Sequence, residues 1–183
     1  HDLIKGEVTF ANQNMDDFVI LKSDGYPTYH LANVVDDHRM EISHILRADE
    51  WVSSTPKHVL MYDALRYEKP LFAHLPIILG PDRSKLSKRH GVVSVLHYRD
   101  EGFLSEAVIN FLALLGWSLD DHTEIITRED LIQHFSIERI GKAGAIFDQE
   151  KLTWMNGMYI RQMGQDDLVH RILKFLDEAL PPA

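Results

Sequence analysis

The sequence predicts an α/β domain followed by an α-helical domain, and three observations lead to this prediction. Up to about residue 80, helix-like and strand-like patterns of apolar residues alternate along the chain. From about residue 94 onward, apolar residues recur at helical spacing in one segment after another. The 183 residues are 45% hydrophobic and 26% charged, which suits one or two globular domains with a core. We place the boundary near the basic stretch GPDRSKLSKRHG, residues 80–91.

Up to about residue 80, the sequence predicts helices and strands in alternation. A β-rich run at 17–23 ends in an Asp-Gly turn, and apolar residues at helical spacing follow in YHLANVVDDHRM. EISHILRA predicts a strand near 42–47, and Pro56 at a first helical position predicts a helix over about 56–67. The apolar run FAHLPIIL predicts a buried strand. This order is typical of a crossover unit in a parallel sheet.

From about residue 94 onward, the sequence predicts amphipathic helices. The segments are SEAVINFLALLGW, TREDLIQHF, DQEKLTWMNGMYI and DDLVHRILKFLDEAL. We expect Ser105 to cap the first of them, with Glu106 in its first turn and Gly116 at its end.

Composition and charge exclude several classes of protein. There is no cysteine, so neither a disulfide scaffold nor a thiolate metal site can form. No apolar run approaches the roughly 20 residues that span a bilayer, and the start lacks a signal-peptide pattern, so we expect a cytoplasmic protein. The net charge of −9 gives no general attraction to nucleic acid, so phosphate chemistry would need a local basic cluster.

Lys85 and Lys88 lie three positions apart in such a cluster, directly after the predicted buried strand. Open α/β sheets bind ligands beyond the carboxyl ends of their strands, so these lysines can reach a polyphosphate. Their ammonium groups can stabilise the negative charge that builds when a carboxylate attacks an α-phosphate. The small Ser87 lets the backbone approach phosphate. On spacing alone we favour a solvated basic turn, because lysine-rich turns are common on surfaces.

The motif KLSKR matches the KMSKS-type signature of class I aminoacyl-tRNA synthetases, and the chain resembles bacterial-type glutamyl-tRNA synthetases almost from end to end. The matching segments are DLIKGEVTF, DDFVILKSDGYPTYHLANVVDDH, AHLPIILGPDRSKLSKRHG, YRDEGFLSEAVINFLALLGW and FDQEKLTWMNGMYIR. The resemblance implies the C-terminal half of a Rossmann-like catalytic domain followed by an α-helical stem-contact domain. It assigns 1–29 to the end of an acceptor-binding insertion, 30–81 to the second half of the catalytic domain, 82–164 to the KMSKS-type loop and stem-contact helices, and 165–183 to the start of an anticodon-binding region.

The resemblance also implies a glutamate pocket that contains Tyr29, Asn33 and Arg47. Tyr29 and Asn33 are four residues apart, which on a helix places a phenol and an amide on one face, where both can reach a carboxylate. Arg47 ends a predicted strand, and its planar guanidinium can hold one of the two carboxylates of glutamate. Without the resemblance, we favour a core tyrosine and a capping asparagine for the first two residues.

ATP binding is implied for a set of residues around the basic stretch and the preceding strands, namely Trp51, Ile77, Ile78, Lys85, Ser87 and Lys88. Lys85 and Lys88 are implied as the catalytic pair, and the two isoleucines as backbone contacts to adenine. Trp51 stands where many family members have histidine, and it packs either against the adenosine or in the core. Mg²⁺ is expected to arrive with ATP. Because no histidine pair has HExxH spacing and cysteine is absent, we expect no protein-bound zinc in this segment.

The implied activity is the ATP-dependent ligation of L-glutamate to tRNA(Glu) through a glutamyl-adenylate. The implied partners are tRNA(Glu), L-glutamate and ATP, for a monomer that acts away from membranes. The HIGH motif, the second signature of class I synthetases, has no match in the sequence. We therefore expect the family's first Rossmann strand to precede His1 and most of the anticodon-binding region to follow Ala183, and we expect this segment to be inactive by itself.

Three alternatives remain beside this interpretation. A paralogue that glutamylates the base queuosine lacks the downstream helical region, whereas FDQEKLTWMNGMYIRQM is present here. A glutaminyl enzyme is expected to diverge in PTYHLANVVDD. A non-catalytic RNA-binding or scaffold paralogue would not need the lysines of KLSKR, which are intact.

Overall fold

The computed structural model describes residues 1–87 and 94–179. The chain divides into two compact units, of which the first is His1–Ile77 with Ser136–Ala145 and the second is Ile78–Phe135 with Ile146–Ala183. The helices are α1 (Tyr29–Arg39), α2 (Thr55–Leu65), α3 (Val95–Asp100), α4 (Ser105–Leu114), α5 (Arg128–His134), α6 (Gln149–Gln162) and α7 (Gln165–Ala179). The strands are β1 (His44–Ala48), β2 (Leu71–Leu75), β3 (Ile78–Leu79) and β4 (Ala145–Ile146), and short 3₁₀ turns cover Asn12–Asn14, Asp49–Ser54 and Ile137–Arg139.

The first unit contains the predicted crossover. Strands β1 and β2 pair in parallel, with a register that runs from His44 opposite Leu71 to Ala48 opposite Leu75, and α2 connects them. Apolar residues of α1, α2 and both strands form the core, namely Val34, Ile45, Met61, Tyr62 and Phe72. Because both strands run the same way, their carboxyl ends meet at one edge of the sheet, which is where such sheets bind ligands.

Two strand predictions in the first part are wrong in detail. FAHLPIIL is not one strand, because β2 ends at Leu75 and Pro76, which has no N–H to donate, interrupts the run before β3. The run at 17–23 forms no strand, but an isolated antiparallel bridge joins Leu21 to Pro27 across the turn, which agrees with the hairpin or strand end expected at that turn. The Asp-Gly turn itself is present, with Gly25 at a φ of 84°.

The second unit is mainly helical, as predicted. α4 packs against α5 and α6, and the core residues shared by these elements include Ala107, Phe111, Leu131, Leu152 and Met155. The N-terminus of α5 is capped by the Thr127 hydroxyl, which accepts from the N–H of Asp130, and that of α6 by the Asp148 carboxylate, which accepts from the N–H of Lys151. No helix in residues 1–87 or 94–179 is both long and apolar enough to cross a membrane.

The predicted cap of α4 is wrong. Ser105 is the first helical residue, Leu104 occupies the N-cap position, and no side chain of that position caps the helix. Instead the Leu104 N–H donates to Oδ1 of Asn156 in α6 at 2.8 Å, while the Ser105 hydroxyl donates to Glu106 at 3.0 Å. A neighbouring helix therefore binds the N–H of the N-cap residue itself, which is a different donor from the first-turn N–H groups that a capping serine would bind.

Candidate functional site

Arg47 lies near the carboxyl end of β1, and its guanidinium is held by side chains of α2 and β2. Its Nε donates to Nε2 of His74 at 3.1 Å, Nη1 lies 3.1 Å from Nδ1 of His58, and Nη2 donates to the Thr55 hydroxyl at 2.8 Å. His58 is fully buried and His74 is 2% exposed. Each guanidinium nitrogen thus has one protein acceptor in α2 or β2, while Nη1 and Nη2 each carry a second N–H, and the Tyr29 side chain also hydrogen-bonds to the guanidinium.

The hydrogen bonds of Arg47 fix the proton positions on the surrounding histidines. A guanidinium only donates, so the ring nitrogens that face Arg47 are acceptors and carry no proton. His74 therefore bears its proton on Nδ1, which donates to Oδ2 of Asp2 at 2.6 Å. His58 bears its proton on Nε2, which donates to Nδ1 of His30 at 2.9 Å. These histidines are neutral, in opposite tautomers.

Burial and positive neighbours keep the His58 ring neutral. Burial, followed by the charge of Arg47, lowers the pKa of His58 to about 4. Burial also lowers the pKa of His30, and Lys57 and Arg47 act in the same direction. Burial lowers the pKa of Arg47 too, although Tyr29 opposes that change. A guanidinium nevertheless stays protonated, so Arg47 carries its charge at neutral pH.

Asp2 anchors His74 from the other side. It is 5% exposed, and its Oδ1 accepts from the N–H groups of Ile4 and Lys5 at 3.0 and 2.8 Å. Burial acts to raise the pKa of Asp2, but hydrogen bonds from Lys5, from the His74 side chain and from Ile4 together lower it. The ionised carboxylate thereby holds the His74 ring in one orientation.

A chain of contacts runs from Asp2 through His74 to Thr55, as in a hydrolytic triad. The proton positions on His74 nevertheless exclude an activated threonine. The Thr55 oxygen lies 3.1 Å from Nε2 of His74 and 3.0 Å from the carbonyl of Trp51. Nε2 has one lone pair, which the Nε–H of Arg47 already occupies. Thr55 therefore donates to Trp51 and accepts from Arg47, so it positions the arginine and has no base to activate it.

Aromatic rings lie beside Arg47, and its guanidinium carbon is 5.7 Å from the ring of Phe72 in β2. The ring centroids of Tyr29 and Trp51 are 4.8 Å apart, and the guanidinium carbon of Arg47 is 5.7 Å from the Trp51 ring. This second distance fits a cation–π contact. The structure thus brings together Tyr29, Arg47 and Trp51, for which the resemblance implies a glutamate pocket and an ATP site.

Unpartnered polar atoms lie on the α1 side of this site. Asn33 follows Tyr29 by one helical turn, as predicted, and its Oδ1 is buried without a hydrogen-bond partner among the described residues. The same holds for Oδ2 of Asp37 and the hydroxyl of Tyr62. Burial raises the pKa of Asp37, against the effect of Arg47, and raises the pKa of Tyr62 to about 12. Such unpaired buried atoms are unfavourable unless a ligand or further protein satisfies them.

In the second unit, the start of KLSKR is tied to β3. Leu79 and Lys85 form an antiparallel bridge, and the Leu86 N–H donates to the carbonyl of Ile78 at 2.8 Å. Between them a tight turn closes with a hydrogen bond from the Gly80 N–H to the Ser84 carbonyl at 2.8 Å. This part of the basic stretch is therefore ordered by backbone hydrogen bonds.

The remaining residues of the predicted ATP site are divided between the units. Ile77 belongs to the first unit, where its carbonyl accepts from the Ala145 N–H at 3.2 Å. Ile78, Lys85 and Ser87 belong to the second. Lys88 lies outside the described residues.

Sequence reasoning missed Asp2, His58, His74 and Thr55. His74 could have been found by aligning the two strands, since the register places it opposite Arg47. Asp2 gave no signal, because it is 72 residues from His74 in sequence. Residues 1–87 and 94–179 contain no group of three or more histidine, aspartate or glutamate side chains that could hold a metal ion.

Comparisons with known proteins identify the family. Residues 1–154 match the family described as tRNA synthetases class I (E and Q), catalytic domain. Proteins named glutamate–tRNA ligase from Dehalococcoides mccartyi and Moorella thermoacetica are 62% and 58% identical, over 97% and 96% of this chain. The chain spans about 36% of the length of each of these curated relatives.

A solved structure gives the same result. The crystal structure of a glutamate tRNA ligase from Elizabethkingia meningosepticum in complex with its amino acid superposes with a TM-score of 0.90 at 38% identity. That match covers 100% of this chain and 40% of the other. The predicted fold class and the resemblance are thereby confirmed, and the chain belongs to the class I tRNA synthetases (E and Q), within their Rossmann-like catalytic domain.

Proposed function

We propose that the protein ligates L-glutamate to tRNA(Glu), with ATP, through a glutamyl-adenylate. The relatives that match most of this chain are named glutamate–tRNA ligases. The observation that carries the proposal is Arg47, a charged guanidinium fixed by neutral acceptors at the carboxyl edge of a parallel sheet. A planar donor of this kind suits recognition of a carboxylate.

Glutamate binding is proposed for Tyr29, Asn33 and Arg47. The Tyr29 side chain is half-exposed and packs beside Trp51, so its hydroxyl can reach a ligand at Arg47. The unpartnered Oδ1 of Asn33 accepts a hydrogen bond from whichever donor the ligand presents. Together these groups offer donors to a carboxylate and an acceptor to an N–H group.

ATP binding is proposed for the residues assigned from the sequence, namely Trp51, Ile77, Ile78, Lys85, Ser87 and Lys88. Lys85 and Lys88 act on the phosphates, where positive charge stabilises the transition state of adenylation. Mg²⁺ is held mainly by the phosphates and water, and no protein-bound zinc takes part. We expect Lys85→Ala to lower the rate of adenylation by about 100-fold, a loss of the size seen when one such charge is removed.

The domain assignments belong to the same proposal. Residues 1–29 end an acceptor-binding insertion, 30–81 form the second half of the catalytic domain, 82–164 form the loop and the stem-contact helices, and 165–183 begin the anticodon-binding region. The protein acts as a cytoplasmic monomer, and tRNA(Glu) is its macromolecular partner.

The test is glutamate-dependent exchange of pyrophosphate into ATP by the full-length gene product, with tRNA(Glu) present. We expect exchange with glutamate and little with aspartate or glutamine, and transfer of labelled glutamate to tRNA(Glu). Binding of tRNA without exchange on any amino acid would favour the non-catalytic RNA-binding paralogue instead.

A further inference from the structure

Arg47 is held in an unusual way, because its protein partners are neutral. His74, His58 and Thr55 each accept from a different guanidinium nitrogen, at 3.1, 3.1 and 2.8 Å. Within the described residues, Arg47 forms no ion pair with a carboxylate. Arg47 is partly buried, and arginines withdrawn from water are more often paired with an acidic side chain.

We propose that His58, His74 and Thr55 form a neutral acceptor cradle that positions Arg47 for the substrate carboxylate without placing a carboxylate of the protein in contact with the guanidinium. This inference rests on the proposed function, because it assigns positioning residues to the glutamate site. The three side chains are not themselves ligands of glutamate. They act through the arginine.

The chemistry of the partners supports this role. A carboxylate placed against the guanidinium would neutralise it and occupy donors in the geometry that the substrate needs. Neutral ring nitrogens and a hydroxyl orient the group through directional hydrogen bonds and leave its charge available. The cradle therefore orients the Arg47 guanidinium by hydrogen bonds without placing a negative charge against it.

Asp2 supports the cradle through its hydrogen bond to His74. Its carboxylate accepts the Nδ1–H of His74 at 2.6 Å, which fixes the tautomer and makes the opposite nitrogen a better acceptor for Arg47. On the other branch, Nε2–H of His58 donates to His30 at 2.9 Å. One anionic group thus supports the arginine through an intervening ring without contacting it.

The kinetic test compares variants of the full-length gene product in glutamate-dependent exchange with tRNA(Glu) present. His58→Leu and Thr55→Val each remove one acceptor, and we expect either to raise KM for glutamate by about tenfold while KM for ATP stays near its wild-type value. His58→Asn places an oxygen near the position of Nδ1, and Thr55→Ser keeps the hydroxyl, so both are expected to restore KM. His44→Leu is the matched control, since His44 is exposed and its ring bonds only to the adjacent Ser43 within the described residues.

The outcomes separate this inference from the proposed function. If the wild-type protein shows no exchange with glutamate, the function itself fails. If the wild-type protein is active and the Leu and Val variants keep its KM for glutamate, or if Asn and Ser fail to restore it, the cradle is wrong. Thr55→Val is nearly isosteric, so the test does not depend on a variant of the fully buried His58 being able to fold.

A spectroscopic test needs no activity. Nitrogen-15 chemical shifts of the histidine rings at neutral pH distinguish the two neutral tautomers from the imidazolium. We expect the Nε2–H form for His58 and the Nδ1–H form for His74, and we expect the Arg47→Leu variant to lose this fixed assignment. An imidazolium, or the same tautomer at both positions in the wild-type protein, contradicts the cradle.

Discussion

Arg47 of β1 and His74 of β2 are direct partners in the register of a parallel sheet, and the arginine Nε donates a 3.1 Å hydrogen bond to the histidine Nε2. Adjacent parallel strands place paired side chains on the same face, so this register sets the distance between the two groups. The acceptor role of His74 then follows from chemistry, because arginine has only donors. The backbone pairing thus determines the electrostatic state of the site.

The buried His58 makes stability depend on pH. Its folded pKa of about 4 lies below the ordinary value of 6.5, so between these values the unfolded chain binds a proton that the folded chain does not. The contribution of His58 to stability is therefore fully present above pH 6.5 and is lost as the pH is lowered toward 4. The charged and titratable groups around this ring are Arg47, His30, His74, Lys57 and Tyr29.

The measurement is the free energy of unfolding of the wild-type protein and of His58→Asn between pH 7 and pH 5. We expect the wild type to lose up to about 2 kcal/mol more than the variant over this interval, because asparagine does not titrate. Parallel curves for the two proteins would mean that His58 does not carry the effect.

Asn110 is expected to be a large contributor to the stability of the second unit. It is fully buried in α4, and its Oδ1 accepts from the Ile126 N–H at 2.9 Å and lies 2.9 Å from the Tyr159 hydroxyl, whose single proton is shared with the Ile126 carbonyl at 2.8 Å. Asn110→Leu leaves the Ile126 N–H buried without its acceptor, so we expect a loss of about 2–3 kcal/mol in the free energy of unfolding. Tyr159→Phe keeps that acceptor and is expected to lose about 1 kcal/mol. Equal losses in urea denaturation would contradict this ranking.

Glu106 and Arg171 form a two-pronged ion pair, with Nη2 to Oε1 at 3.0 Å and Nη1 to Oε2 at 3.3 Å. The hydrogen bonds of Arg171 lower the pKa of Glu106 to about 2. A depressed carboxylate pKa stabilises the folded protein above the ordinary value of 4.5, and this contribution is lost as the pH falls from 4.5 toward 2. Solvent reaches both side chains, so the pair contributes about 1 kcal/mol or less.

Titration of the Glu106 carboxyl by carbon-13 NMR measures this effect. In Arg171→Met we expect the pKa of Glu106 to return toward its ordinary value, with a small loss of stability at pH 7 and none at pH 2. Asp130→Asn serves as the control, because this exposed carboxyl bonds to its own cap residue Thr127. An unchanged pKa in Arg171→Met would exclude the ion pair.

The local features of the fold were predictable from the sequence. Helical spacing in YHLANVVDDHR and Pro56 at the start of α2 both led to helices that the structure contains. The broken run FAHLPIIL was not anticipated, because an apolar pattern does not show that Pro76 ends the pairing. Propensity and periodicity describe neighbours along the chain, and they identify elements better than their ends.

The candidate site was predictable only in part. Tyr29, Asn33 and Arg47 came from a resemblance carried by contiguous motifs, and the structure places Tyr29 and Arg47 around one aromatic cluster with Trp51. The cradle around Arg47 was not visible, because His74 lies 27 residues away in sequence and isolated histidines have many uses. Long-range pairing creates this part of the site, and only the strand register reveals it.

The proposed binding of a glutamate carboxylate by Arg47 is tested most directly with the variant Arg47→Lys. The measurement compares this variant with the wild-type full-length protein in exchange of pyrophosphate into ATP. Lysine keeps the charge but cannot match the planar fork or satisfy the three acceptors around it. We expect KM for glutamate to rise about 30-fold or more, with KM for ATP near its wild-type value. Wild-type KM for glutamate in this variant would contradict the claim.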